Sequence, residues 1–329
     1  MSKTVIKTVL AVVVILLVIF ASVVFSKFFS DGADLRAVSD ADVLKERDVF
    51  SVLVVGKDKA SSLADVIMLV SFDRSNDRVC VLQVPRDTYA EYGNSAYYKI
   101  NGALKTLGAD GMCVFFEESF GIHLDGYVSL DLEGFRNAVD AVGGVDITVE
   151  KDMKYSDPAQ GLYINLKKGR QKLDGKQAEM LVRYRSGYAR GDLDRLDTQK
   201  RFLAALLLGM KEKINLFNAY GVANGVIPHL ETDVNIPELV SIAISGMSVK
   251  NENIRFVTLP GEDAISSVSG GSYYVLSARS TEALLDEYFF VTDKGFDKKG
   301  CFLHTSIKSF KDIYNSEKEG NSFFINDLK

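Results

Sequence analysis

The chain has 329 residues, 47% of them hydrophobic, with 39 Lys and Arg against 44 Asp and Glu and a formal net charge of −5. That is enough apolar material for one large domain or two ordinary ones, and the acidic balance argues against a nucleic-acid partner. Three histidines, and three cysteines without a C-x-x-C spacing, leave little for a zinc site or a histidine-based triad.

Residues 8–25, TVLAVVVILLVIFASVVF, form an uninterrupted uncharged run, with Lys3 and Lys7 before it and Lys27 after it. At ~1.5 Å per residue this is a helix of about 27 Å, against a hydrocarbon core of ~30 Å. A cleaved signal peptide is the rival reading, since Val24–Phe25–Ser26 is a passable cleavage site. The run is long for a signal h-region, so the expectation over 1–27 is a cytoplasmic stub and one transmembrane helix. The leading lysines place the N-terminus in the cytoplasm. The expected location is the cell membrane, single-pass, with the C-terminal domain extracellular. Residues 28–48 read as a polar spacer.

Residues 52–55 are a continuous apolar run closed by Gly56, as in a strand buried on both faces. Runs 66–72 and 79–84 flank the short polar DRSNDR, which makes them an antiparallel hairpin. Asp65 immediately precedes the second strand, and the third ends in Pro85–Arg86–Asp87. With the first strand antiparallel to the second, one end of the sheet collects Asp58, Asp65, Arg86 and Asp87. Carboxylates beside an arginine suit Mg²⁺, with Mn²⁺ as its substitute, because the ion prefers a few carboxylates plus phosphate and water to an all-protein cage. The bland reading is a turn with aspartates at strand ends. Cys80 and Cys113 lie in apolar runs and read as buried, inert thiols.

Lys99–Thr106 opens a helical stretch, and 112–120 is an apolar cluster before Gly121. A strand is expected at His123–Leu130, with His123 structural. Asp131 caps a helix at Leu132–Val142, Gly143–Gly144 ends it, and Val145–Val149 is the next strand. This β-α-β alternation predicts an α/β fold with a mixed sheet between helices. Short β segments follow at Leu162–Leu166 and Gly169–Leu173, then a helix at Gly175–Leu181.

Residues 181–199, LVRYRSGYARGDLDRLDTQ, hold four arginines within thirteen positions. Val182–Arg185 reads as a strand end, which would turn Arg183 and Arg185 the same way. A helix starting near Asp194 would set Arg195 and Gln199 on one face. Guanidinium forks match phosphate oxygens with paired hydrogen bonds, so the stretch suits a pyrophosphate. The alternative is an ion-pair network with Asp192, Asp194 and Asp197. Phe202–Met210 continues as an apolar wall, either core or lipid pocket. A helix at Ile236–Met247, strands at Ile254–Leu259 and Tyr273–Leu276, and a helix at Ser280–Phe289 complete a domain over 49–290. Residues 291–329, poor in aliphatics, read as a loosely held tail.

The ordered blocks VLVVGKD, ADVIMLVSFD, VLQVPRDTY, KINGAL, FRNAVDAVGGVDI, LDGKQAEMLVRYR and GDLDRLDTQ resemble the extracellular domain of the LytR-CpsA-Psr family of Gram-positive bacteria and their relatives. The resemblance implies a phosphotransferase that moves a glycopolymer (teichoic acid, capsule or a related polysaccharide) from a polyprenyl-pyrophosphate carrier to peptidoglycan. It implies that Arg86, Arg183, Arg185, Arg195 and Gln199 hold the pyrophosphate and that Asp58 and Asp65 bind magnesium. Asp192 would orient an arginine or help deprotonate the acceptor, with Asp87 the other candidate base. It also implies a long apolar pocket for the polyprenyl chain beside Phe202–Met210. The chain departs from the family at Leu63–Ala64–Asp65–Val66, where members commonly read Arg-Ser-Asp-Thr, so one phosphate-facing arginine and a hydroxyl are missing. Two other functions stay open: a polyprenyl-pyrophosphate hydrolase, and a non-catalytic envelope sensor or scaffold that binds the carrier lipid.

Overall fold

The structure, a computed structural model, describes residues 48–57, 62–93, 98–158, 162–188, 192–213, 225–235, 248–297 and 307–327, with a few isolated residues between them. The expected membrane helix and spacer lie outside the described residues, as do Asp58, Arg190 and Cys301. Among the described residues no helix is long and apolar enough to cross a membrane.

Strands β1 (Val49–Lys57), β2 (Ala64–Asp73) and β3 (Arg78–Val84) form an antiparallel meander. Their runs are apolar throughout because alternate residues enter opposite cores. Val52 and Val54 of β1 face one, Leu53 and Val55 the other. The β2–β3 turn is set by Asp73, which accepts from the Asn76 backbone N–H and side-chain amide and from Arg78 Nε.

Strand β4 (Gly126–Leu130) joins parallel to β1. Strands β5 (Val145–Val149), β6 (Met153–Asp157), β7 (Leu162–Leu166) and β8 (Gly169–Leu173) form two ribbons, β5 with β8 and β6 with β7. Strand β9 (Leu230–Thr232) flanks β4, and β10 (Ile254–Thr258) runs parallel to β3. Strands β11 (Gly261–Ile265) and β12 (Ser272–Leu276) make a hairpin, and β13 (Ser322–Phe324) pairs with β10. The main sheet is therefore mixed and seven-stranded, in the order β13-β10-β3-β2-β1-β4-β9.

One face carries the helices Leu132–Ala141, Gly175–Arg183 and Asp192–Lys213, packed through Phe135, Leu181, Phe202 and Leu206. The other carries Ala103–Phe120, Ala278–Tyr288 and Lys308–Tyr314, packed through Phe116, Leu285 and Phe310. Asp131 caps the Leu132–Ala141 helix as expected, accepting from the N–H groups of Glu133 and Gly134. The two helical stretches read before Gly121 are one element, broken where Gly108 takes φ 75° and ψ −179°.

Three expectations are corrected. Strand β5 follows a β-α unit but does not enter the main sheet. Only its Val145 and Val149 are buried, so it is built for a one-sided ribbon with β8. His123 lies before β4 rather than within it, between Glu117 at 3.1 Å and Asp125 at 3.4 Å, which keeps it structural. Residues 291–329 are not a loose tail among the described residues. They supply the Lys308–Tyr314 helix and edge strand β13, and they bury Phe302, Phe310, Tyr314 and Ile325. Aromatic rings do there what the missing aliphatics would have done: Phe302 stacks on Phe120 with centroids 5.1 Å apart.

Candidate functional site

The meander register builds the first half of the site. Lys57 closes β1 opposite Ala64, and Ile67 faces Val84 across β2 and β3. Two residues further along the same register, Asp65 and Arg86 come opposite each other, and Arg86 Nη1 donates to Asp65 Oδ1 at 3.0 Å. The Asp65 side chain is fully buried, so its charge needs this partner. Burial pulls the Arg86 guanidinium down, but Asp192, Asp87 and Asp65 outweigh it and hold the group above its ordinary value.

The start of the Asp192–Lys213 helix supplies the second half. Asp192 Oδ1 lies 2.8 Å from Arg195 Nη2, 3.3 Å from Arg185 Nη2 and 3.8 Å from Arg86 Nε. Three guanidinium groups from three segments thus converge on a single carboxylate oxygen in the first turn of a helix, where the peptide dipoles already favour negative charge. The Arg195 side chain is 1% exposed. Burial is the main reason its pKa falls to about 10, with Asp192 opposing and Arg86 and Arg185 adding to the drop. Arg195 remains a cation at neutral pH, and its Nε finds no acceptor among the described residues. Burial and the neighbouring Arg86 also lower Arg185, which is 38% exposed and lies on the open side.

Asp87 accepts from Lys99 Nζ at 2.8 Å. Burial pushes the Asp87 carboxyl up, but Arg86 and Lys99 outweigh it and hold it below the usual carboxylate range. The segment is tied on both sides. Ile100 N–H donates to Thr88 O at 2.9 Å, and Tyr274 N–H of β12 donates to Asp87 O at 2.9 Å. This second tie brings the β11–β12 hairpin alongside the cluster, with Asp263 of β11 in register opposite Tyr274. Lys99 and Asp263 are members of the site that the sequence reading did not single out. A lysine just past a flexible loop and an aspartate between two short strands carry no local signal.

The site residues read from the sequence separate accordingly. Arg86, Asp87, Arg185, Asp192, Arg195 and Asp65 come together. Arg183 does not share the strand expected for 182–185. It ends the Gly175–Arg183 helix, whereas Arg185 lies past the extended C-cap residue Tyr184, and it pairs with Glu179, as does Arg136 at 2.7 Å. Gln199 sits one helical turn beyond Arg195, fully buried. Its amide donates to Val182 O at 3.2 Å and accepts from Gln83 at 3.0 Å, so it ties β3 to the preceding helix end.

Of the two expected metal ligands, Asp65 is described and Asp58 is not. Asp58 follows directly on Lys57, and the β1–β2 register puts that strand end beside Ala64 and Asp65. Asp65 by itself is one hard-oxygen donor of the kind magnesium takes. Among the described residues no group of three or more His, Cys, Asp and Glu is placed to hold a metal. Phe202, Leu203, Leu206 and Met210 of the apolar wall are buried in the core. Leu207, buried in the same core, lines a cavity of about 50 Å³ against Phe50, Val52 and Phe72, towards the end of the strands opposite Arg86.

Together these features define an α/β sandwich with a cluster of arginines and aspartates, partly open, at one end of its central strands. A sequence model of the LytR_cpsA_psr family matches residues 24–289. The chain belongs to the LytR-CpsA-Psr family. The polyisoprenyl-teichoic acid–peptidoglycan teichoic acid transferase TagU of Oceanobacillus iheyensis is 29% identical to it over 242 residues, 71% of this chain and 73% of that one. The crystal structure of Bacillus subtilis TagV matches with a TM-score of 0.62 and 26% identity, covering 74% of this chain and 96% of that one. TagT bound to LI-WTA matches with a TM-score of 0.59 and 25% identity, covering 73% and 89%.

Proposed function

We propose that the protein is a membrane-anchored extracellular phosphotransferase that moves a glycopolymer from a polyprenyl-pyrophosphate carrier to peptidoglycan. The observation that carries this reading is the convergence of Arg86, Arg185 and Arg195 on one Asp192 oxygen. A carboxylate oxygen stands in there for a phosphate oxygen, 2.8–3.8 Å from the three guanidinium groups, and Arg195 Nε has no acceptor among the described residues. The teichoic acid transferase TagU and the LI-WTA-bound structure of TagT point to the same chemistry.

In this reading Arg185, on the open side, meets the incoming pyrophosphate first. Arg86 and Arg195 then neutralise charge that develops on the bridging oxygen as the polyprenyl phosphate departs. Gln199 acts from behind by fixing the helix that carries Arg195, and Arg183 contributes through Glu179 rather than by direct contact. Charge balance among the described residues supports a metal requirement. There the cations Arg86, Arg185, Arg195 and Lys99 stand against Asp65, Asp87, Asp192 and Asp263, so a pyrophosphate arriving with two charges needs a further source of positive charge. Mg²⁺ held by Asp58 and Asp65 would supply it to the phosphate oxygens. Ala64 is buried and Leu63 carries no charge, so nothing at those positions replaces the family's arginine.

The test is transfer by the full-length protein in proteoliposomes, given lipid-linked glycopolymer, peptidoglycan fragments and magnesium, with the products separated. Wild type should form the phosphodiester-linked conjugate, and Arg195→Ala should reduce transfer ~100–1000-fold. No conjugate from wild type, or undiminished transfer by the variant, would overturn the reading. Glycopolymer released into water would mark a hydrolase, and bound carrier lipid without turnover a sensor.

A further inference from the structure

A hydroxyl that attacks phosphorus must lose its proton, and the group that takes it must reach the site and have a lone pair not already committed to a cation. Asp65 is fully buried on Arg86. Asp87 is bonded to Lys99 and held low. Asp192 is shared by three guanidinium groups. Ion pairs of this kind hold a carboxylate to its cations rather than to an incoming hydroxyl.

Asp263 differs from all three. It is exposed at the mouth of the cluster and makes no ion pair or hydrogen bond with any described residue. Its position is nevertheless fixed. It lies in register opposite Tyr274, whose N–H donates to Asp87 O at 2.9 Å and whose carbonyl accepts from Tyr89 N–H at 2.8 Å. The buried Tyr274 hydroxyl is anchored on Leu259 O at 2.6 Å. The charged groups acting on Asp263 are Asp192 at the helix start, Asp87 at the end of β3, and Lys99. The neighbouring hairpin and cluster desolvate its carboxyl only in part and raise it, the two aspartates push the same way, and Lys99 opposes them.

We propose that Asp263 accepts the proton of the attacking acceptor hydroxyl, an inference that rests on the transferase reading above. The acceptor oxygen forms a bond to the phosphorus that bears the glycopolymer. The bond from that phosphorus to the bridging oxygen breaks, and its electron pair leaves with the polyprenyl monophosphate. The hydroxyl proton passes to the Asp263 carboxylate and from there to solvent through the open face of the hairpin.

The test compares full-length wild type, Asp263→Asn and Asp263→Glu in proteoliposomes. Two quantities are read: the pH profile of transfer, and equilibrium binding of the radiolabelled lipid-linked glycopolymer. Asp263→Asn should bind this substrate as wild type does, transfer it ~100–10,000-fold more slowly, and lose the acid limb of the profile. Asp263→Glu should recover part of the rate and keep the limb. Wild-type transfer by Asp263→Asn, a slowed rate with the acid limb intact, or a loss of binding that accounts for the slowing would each overturn the assignment and leave the transferase reading standing. Absence of transfer in the wild-type arm would remove both.

Discussion

The Asp192–Lys213 helix buries two cations five residues apart, Arg195 and Lys200, and they do opposite jobs. Lys200 is fully buried, and its ammonium donates to Thr258 Oγ1 and Asn321 O at 2.7 Å each, with Asp197 Oδ1 3.1 Å away. That matches an ammonium's three donors with three acceptors, in a closed arrangement. Arg195 is equally buried, yet its Nε has no acceptor among the described residues and its carboxylate partner is shared with two other guanidinium groups. A buried charge whose donors are all satisfied holds elements together, whereas one left under-satisfied beside an opening is a place for a ligand. Lys200 locks the helix to β10 and to the C-terminal segment, and so holds steady the scaffold on which Arg195 is displayed.

The most severe way to break this comparison is to remove residues 301–329. The loss strips β13 from β10, takes Asn321 from Lys200, and exposes the face on which Phe310 and Tyr314 pack. Four large apolar side chains are worth on the order of 6–10 kcal/mol of burial, comparable with a whole domain's stability. The shortened chain should show no cooperative thermal transition.

Lys200→Met should lower unfolding free energy by ~3 kcal/mol, because it leaves buried acceptors unpaired. It should leave transfer per folded molecule unchanged. Arg195→Ala should show the reverse, with transfer lost and a thermal midpoint close to wild type. Denaturant titration set beside the transfer assay separates the two, and matching profiles for the two variants would erase the distinction.

Arg183 and Arg185 sharpen the comparison at smaller scale. Arg185→Ala removes a donor from the cluster and should weaken carrier binding ~10–100-fold. Arg183→Ala, which acts on Glu179, should change binding by no more than ~2-fold, an energy below about 0.5 kcal/mol. Equal losses would place Arg183 in direct contact with ligand.

The smallest effect is on acid stability. Against burial, Arg86 and Lys99 depress the Asp87 carboxyl in the folded state. Its contribution is therefore fully present above the unfolded value of ~3.9 and is lost as pH falls through the lower folded value. Thermal melts below about pH 4 should fall more steeply for wild type than for Asp87→Asn. Parallel curves would show that the Lys99 pair contributes nothing to stability.

Much of the fold was legible from local pattern. The 52–55, 66–72 and 79–84 runs gave the meander, and the polar six-residue connection fixed its antiparallel sense. The Asp131 cap and the Gly143–Gly144 stop marked one helix to within a residue or so. Since register follows from the hairpin, the meeting of Asp65 with Arg86 was also within reach of the sequence. Residues 182–185 misled because Val-Arg-Tyr-Arg alternates as a strand does. The capping box at Asp174 and Gln177 had already committed that segment to a helix ending at Arg183.

What the amino-acid order determined by itself, then, was whatever depends on neighbours in the chain: periodicity, caps, the hairpin, and a stock of arginines and aspartates too concentrated to be accidental. Only the tertiary structure decided which of those charges share a partner. It gathered Arg86, Arg185 and Arg195 on Asp192, sent Arg183 to Glu179, and brought Lys99 and Asp263 in from distant segments. It also returned the C-terminal residues to the edge of the sheet. Charge pairing in a buried site is settled by which segments meet, and that depends on long-range strand order and helix packing, which no local pattern encodes.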